Sequence, residues 1–308
     1  MYRNNNDVVL IANAKHVDAI KKHGLELHTP YEQYMLDIPA YDNISKIKPF
    51  KKDDVIFLTM KSQHVLRSLG HLKNSGAAQD IPIFCFQNGL FTEPLASRIF
   101  SNIYGAVLSM AGIFLEPGVV YDSVEDGRCF FEIGSYPLGL DCTAEKVADS
   151  LINSGFAGGS NAEVMKAKAA KCLLSLGHAL LAITDGKGDL KYFLEKLRDE
   201  ARIVWKSAGI EWEHLETFIS RTDKLRGARV KNEKFQDKST TSSSWQSLFK
   251  ETGSIEAMYI NGDVVNLGRL LNIETPFNKV VSEVAQEMAV KGEKPGKYTV
   301  QDLINKMN

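Results

Sequence analysis

The chain of 308 residues has no apolar run long enough to span a membrane; its longest are strand-length or interrupted by polar residues. Its start, Met1-Tyr2-Arg3-Asn4-Asn5-Asn6, carries no apolar segment of the secretory kind. Neither insertion nor export is expected, and the cytoplasm is the expected location. Excess charge is missing too: 37 Lys+Arg face 38 Asp+Glu, and no basic stripe is interleaved with aromatics. That removes the field a nucleic acid would need. Cys85, Cys129, Cys142 and Cys172 contain no CxxC and no Cys/His ligand pair, so they are expected to be reduced, buried thiols. His16, His23, His28, His64 and His71 show no ligand spacing either, and no metal is expected. Nor does a GxGxxG occur. The nearest match, Gly186-Lys187-Gly188, lacks the third glycine and follows no strand, so it reads as a loop between helices.

What is present suits a soluble two-domain protein, since 44% of the residues are hydrophobic and the length allows two cores. Residues 7–13 form a continuous apolar run of the kind a fully buried parallel strand shows, and a helical pattern from Ala14 to His23 follows. Asp54 to Met60 repeats the design, with a helix from about Ser62 to Asn74 and then Ile81 to Phe86. Strands alternating with helices at these intervals predict a parallel sheet covered on both faces. A helix from Leu90 to Ile103, a β-rich stretch over 106–123 and 129–133, and a helix from Thr143 to Asn153 come next. The glycine cluster Gly155 to Gly159 is the expected boundary, giving domains 1–158 and 159–308, with Ser160 or Asn161 capping the following helix.

Beyond that boundary strand signals stop, and helical patterns cover 161–183, 189–208, 211–221, 254–272 and 276–290, with Thr275-Pro276 a cap followed by proline. The stretch from Met165 to Leu181 is apolar around most of its circumference. At about 100° per residue its polar groups Lys168, Lys171, Ser175 and His178 form one narrow stripe. Facing an internal cleft, a lysine on that stripe is a candidate proton donor, because burial favours the neutral amine. On a half-exposed helix the same stripe serves only solubility. Lys231 to Ser244 has the composition of a disordered loop, and Arg221 to Lys234 that of a solvated connection. After it, Ser242-Ser243-Ser244-Trp245-Gln246 either seals a cleft or caps a surface helix.

Read in order, Val55 to Ser62, Gln87-Asn88-Gly89, Glu116-Pro117-Gly118, Lys168 to His178, Ser242 to Leu248, Ile255 to Gly262 and Thr275 to Asn278 resemble the ketopantoate reductases (2-dehydropantoate 2-reductases) and related 2-oxo acid reductases. The resemblance spans residues 7–290. It implies an α/β plus all-α protein, a Rossmann-like sheet domain followed by a helical domain resembling that of 6-phosphogluconate dehydrogenase. The implied activity is NADPH-dependent reduction of a small 2-keto acid in the cleft. Carried over by position, Lys171 matches the proton-donating lysine and Glu256 the carboxylate near the cofactor ribose and that lysine. Asn88 matches the amide at the nicotinamide, Lys61 the lysine after the fourth strand, and Ser243 the hydroxyl that holds the substrate carboxylate. A homodimer is among the partners the resemblance allows.

Departures from the family pattern are equally specific. Ser175 and His178 stand where relatives carry asparagines, which alters the hydrogen bonding offered to substrate. Asn13 replaces the arginine that binds a 2′-phosphate, leaving Lys15 as its substitute. The family's first strand and glycine-rich turn have no counterpart, so the sheet is expected to lack its central strand, or the N-terminus to be rearranged over the gap. Two readings follow: a ketopantoate reductase-like enzyme, or a degenerate homologue serving as a binding or assembly module. Of the two helix lysines, Lys171 is expected to act and Lys168 to be a silent control.

Overall fold

The computed structural model describes residues 1–47, 49–110, 112–124, 129–227 and 242–307. The first helix, α1 (Ala14–His23), has the limits its pattern predicts. Asn13 caps it by accepting from the His16 amide at 3.0 Å, and Gly24, at φ +81°, ends it. The preceding run disappoints. Only β1 (Leu10–Ile11) is strand, and Val9 and Ile11 are 37% and 44% exposed. A strand buries both faces only between neighbours and beneath helices. Here β1 pairs on one side alone, parallel to β4 (Ala40–Tyr41), in a two-stranded ladder of its own. Between them β2 (Leu25–His28) and β3 (Gln33–Leu36) form a hairpin.

The main sheet starts at β5 (Ile56–Leu58) and continues through β6 (Ile83–Cys85), β7 (Ile103–Ser109), β10 (Phe130–Ser135) and β11 (Ala157–Ser160). β5, β6 and β7 run parallel, β10 is antiparallel to β7, and β11 is parallel to β10. Among the described residues β5 is thus an edge, and it does not join β1. The outer side of β5, where the expected central strand would lie, carries no partner strand among the described residues. Near the chain start, Met1, like Val55 and Phe57, packs against the cluster of Phe84, Phe131 and Ile133, and the Asn4 side-chain amide donates to the Asn153 carbonyl at the end of α4 at 2.6 Å. A small lobe completes the region, with β9 (Val119–Asp122) parallel to β2 and antiparallel to β8 (Gly112–Ile113).

One face of the sheet is covered by α2 (Val65–Asn74) and α3 (Thr92–Ala96), which with Phe100 bury Leu58, Ile83 and Ile103. The other carries α4 (Cys142–Asn153), whose Ala144, Val147 and Leu151 meet Phe84, Phe131 and Ile133. α3 is five residues long where a helix to Ile103 was expected, because the chain there turns into β7. The glycine cluster also surprises. Ala157 to Ser160 is the edge strand β11, so the sheet extends through 160 rather than ending at 158. Cys142 is exposed, unlike the other three cysteines, because it opens α4 at the surface.

The rest is helical. α5 (Val164–Ser175) and α6 (Gly177–Ile183) replace one continuous helix, broken at Leu176, where the Asn261 side-chain amide takes the Leu176 carbonyl at 3.1 Å. α7 (Leu190–Ser207), α8 (Leu215–Leu225), α9 (Ser243–Phe249), α10 (Ala257–Leu270), α11 (Pro276–Lys291) and α12 (Val300–Met307) follow. They pack around Leu173, Leu180, Phe193, Leu197, Val264, Val281 and Leu303, α8 through Leu215, while its Phe218 joins Val107 and Phe130 of the sheet. Arg221 belongs to α8 and bridges Glu132 of β10 to Glu213, so it is no solvated connection. The loop expected over 231–244 lies outside the described residues up to 241. The expected Thr275 cap is replaced: its side chain makes no capping bond, and Glu200 of α7 accepts from the Phe277 and Asn278 amides at 2.9 Å each.

Candidate active site

The C-terminal ends of β5 and β6 open toward α5, α9 and α10, and most of the sequence-derived residues meet there. β6 ends at Cys85 and leads into Gln87-Asn88-Gly89. Gln87 is buried, and its amide donates to the carbonyls of Leu58 at 2.7 Å and Met60 at 2.8 Å, locking the turn to the end of β5. Gly89 has φ +86°, and a Cβ there would stand 2.9 Å from the Tyr259 carbonyl of α10, so only glycine allows this approach. Asn88 is left half-buried between them, its Oδ1 3.4 Å from the Ser175 hydroxyl. Ser175 is buried and also donates to the Lys171 carbonyl at 3.1 Å. Lys171 is half-buried one turn earlier on α5. Its neighbour Cys172 is pushed up to about 12 by burial and by Asp263, with Lys171 opposing, which makes the thiol a packing group.

A second cluster lies at the end of β5. The Lys61 ammonium donates to the Ser243 carbonyl at 3.2 Å and to the Ser247 hydroxyl, both on α9. Burial pulls Lys61 below the usual lysine range, Glu256 opposes that pull, and Lys250 adds to it. Glu256 is buried at the head of α10 and accepts from the Ser62 amide at 2.9 Å and the Ser62 hydroxyl at 3.0 Å. Gln246 of α9 reaches across to β8. It accepts from the Phe114 amide and donates to the Gly112 carbonyl, both at 3.2 Å, and Ser242 caps α9 by accepting from the Trp245 amide at 3.2 Å.

His178 lies on α6 beyond the break at Leu176, where its carbonyl accepts from the Ser242 hydroxyl at 3.2 Å. Lys15 stands exposed on the first turn of α1, and among the described residues no hydrogen bond ties it to the cleft. Two residues escape sequence reading. Ser62 and Ser247 hold Glu256 and Lys61, yet a serine carries no signal unless its partner is known.

The larger correction concerns Lys168. It is 2% exposed, donates to the Cys85 carbonyl at 2.8 Å, and forms an ion pair with Glu93, which is 0% exposed. Burial pushes the Glu93 carboxyl up despite the pull of Lys168. Angles around one helix rank only its own residues, whereas this part of α5 crosses the sheet. Gly105 marks that crossing, since a Cβ there would meet Met165 at 2.8 Å and Val164 at 3.1 Å.

Comparison with known proteins agrees with this architecture. The description "ketopantoate reductase PanE/ApbA" matches residues 1–135, and the C-terminal region of that family matches residues 179–289. The 2-dehydropantoate 2-reductase of Pyrococcus horikoshii is 25% identical over 283 residues, spanning 88% of this chain and 86% of that protein. A solved D-mandelate dehydrogenase with NADH and anilino(oxo)acetate has a TM-score of 0.79 at 20% identity, covering 94% of this chain and 93% of its own. The PanE/ApbA family ketopantoate reductase from Ralstonia eutropha JMP134 gives 0.74 at the same identity and coverage. A Rossmann-like sheet region followed by a helical region is therefore shared with these structures. On the two matched regions, the chain belongs to the ketopantoate reductase family, a family of oxidoreductases.

Proposed function

We propose that the chain is a 2-oxo acid reductase using NADPH, with ketopantoate as its leading substrate, working in the cleft between the sheet's C-terminal edge and α5. The observation that carries this reading is the meeting of Asn88, Ser175 and the Lys171 helix opposite Lys61 and Glu256. Open α/β sheets bind ligands at that edge.

The residues fit the nicotinamide and ribose end of such a cofactor. Asn88 offers an amide beside the ring position, and Lys61 with Glu256 offers a donor and an acceptor beside a ribose. The pyrophosphate end fits less well, since no glycine-rich turn follows a strand in residues 1–308. Lys15 on α1 remains the candidate for a 2′-phosphate. When bound, the cofactor supplies a hydride to the carbonyl carbon. Lys171 places an ammonium where negative charge gathers on the carbonyl oxygen and then gives that oxygen its proton. Ser243 and the start of α9 hold the substrate carboxylate, while Ser175 and His178 face the rest of the acid. Because both are smaller or differently shaped than asparagine, the preferred acid differs from ketopantoate if that compound is turned over slowly. We assign catalysis and substrate to the helical region that follows β11, cofactor to the sheet region that ends with it, and the protein to the cytoplasm, with a homodimer as its assembly.

The test is oxidation of NADPH, and of NADH for comparison, with ketopantoate and a panel of other 2-oxo acids. Reduction of at least one acid is expected, with cofactor affinity weaker than micromolar for residues 1–308, which hold no glycine-rich turn after a strand to cradle a pyrophosphate. No turnover of any acid with either cofactor would leave the family fold without this activity.

A further inference from the structure

The Lys168 ammonium does more than neutralise Glu93. It donates to the Cys85 carbonyl, where β6 ends, and to the Glu93 carboxylate at the start of α3. These two acceptors are the two ends of the segment 85–93, which contains Asn88. The middle of that segment is fixed separately, Gln87 to the end of β5 and Gly89 against α10. The Lys168 ammonium therefore closes the segment onto α5, one turn before Lys171 and two turns before Ser175. Asn88 then meets Ser175 at 3.4 Å.

Stability alone gives no reason for charge here. A buried ion pair can often be exchanged for apolar side chains of like volume without loss, because desolvation offsets the attraction. This pair is also incompletely satisfied: Glu93 Oε2 is buried and has no hydrogen-bond partner among the described residues. A group placed only to hold the fold would be served better by a leucine. What an apolar pair cannot do is hold a backbone carbonyl and a carboxylate in one fixed direction, as a single ammonium does.

We propose that Lys168 and Glu93 are positioning residues that hold the Asn88 segment in register with Lys171 and Ser175. The inference rests on the reading of these residues as the reaction site, but its geometric part can be tested without turnover. A displacement of about 1 Å at a reacting group can cost roughly 10²-fold in rate.

The experiment compares the full-length protein with Lys168→Met/Glu93→Leu, which keeps volume and removes both charges, and with Glu93→Gln. Unfolding midpoint, amide hydrogen exchange across 86–91, and steady-state kinetics are measured on each. In the double variant the midpoint is expected to stay near that of the parent. Exchange in 86–91 is expected to quicken by about tenfold or more while the helical core is unchanged. Turnover should fall by about tenfold or more with the KM for reduced cofactor unaltered. If a stable double variant keeps parental exchange in 86–91, the proposal is overturned. Exchange that quickens everywhere in step with a lowered midpoint also overturns it, since that is a purely structural role. Should the double variant not fold, Glu93→Gln decides by the same exchange comparison. Should the parent turn over no 2-oxo acid, the functional reading fails, and the exchange result still decides the positioning.

Discussion

Two lysine–glutamate pairs join the sheet to the helices, and they are built in opposite ways. At the inner seam, Lys168 and Glu93 touch each other directly and exclude water almost completely. At the outer seam, Lys61 and Glu256 are each held by serines, Ser247 for the lysine and Ser62 for the carboxylate, and act on one another through charge alone. Charges consumed by each other cannot serve a ligand. Charges parked on hydroxyls can, because a hydroxyl is given up at little cost. The inner pair is thus built for geometry and the outer pair for binding.

Removing one member of each pair should separate the two designs. Lys168→Ala leaves the Glu93 carboxyl buried without its cation and should destabilise the protein by about 3–5 kcal/mol, measured by denaturant unfolding. A silent Lys168→Ala, as its place on a polar stripe suggested, would erase the contrast. Next comes Lys171→Ala, which should lower turnover by roughly 10²-fold or more with cofactor affinity little changed, since the loss belongs to the transition state. Equal losses of folding and turnover at Lys168 and Lys171 would mean that the helix register is misread.

The outer pair should respond in pH rather than in folding. Glu256 raises Lys61 against the lowering effect of burial. Glu256→Gln removes that support, so the Lys61 ammonium loses its proton at lower pH. The alkaline limb of cofactor binding should move to lower pH, as titrations across the range would show; an unmoved limb would detach Lys61 from the cofactor. A change in the pH dependence of folding is expected at Asp263, pushed by burial up to about 7 from its ordinary 3.8. Between these two values the unfolded chain is ionised there and the folded one protonated, so stability falls as pH rises through that window. Asp263→Asn should remove the slope, leaving the variant more stable than the parent above about pH 7 and equal to it below about pH 4. Parallel stability curves for the two proteins would contradict this.

Local signals were readable in the sequence and distant ones were not. The limits of α1 follow from Asn13 and Gly24, which act on their own helix. The unpartnered outer side of β5 accords with residues 1–308 holding no strand followed by a glycine-rich turn. By contrast, Ala157 to Ser160 has none of the β-branched or aromatic residues that announce a strand. Its Gly158 lies so close to the Phe131 carbonyl that no Cβ fits, a constraint set by a strand far off in sequence. Lys168 failed for the same reason: helical angles rank neighbours on one helix, whereas its burial is decided by Gly105 and Glu93. The polar residues of the candidate site, Lys61, Asn88, Lys171 and Glu256, were legible as types at motif positions, and the serines that hold two of them were not.

The cap on α11 bears on how the helices assemble. Its first free amides are taken by Glu200 of α7, and Asn278 returns the favour by donating to the Leu197 carbonyl at 3.0 Å and to Glu200 at 2.7 Å. A helix whose start is stapled by another helix nucleates poorly alone, because the costly first turn lacks its local acceptor. α11 should therefore form only as α7 docks, so the two gain and lose amide protection together and the helical half unfolds in a single step.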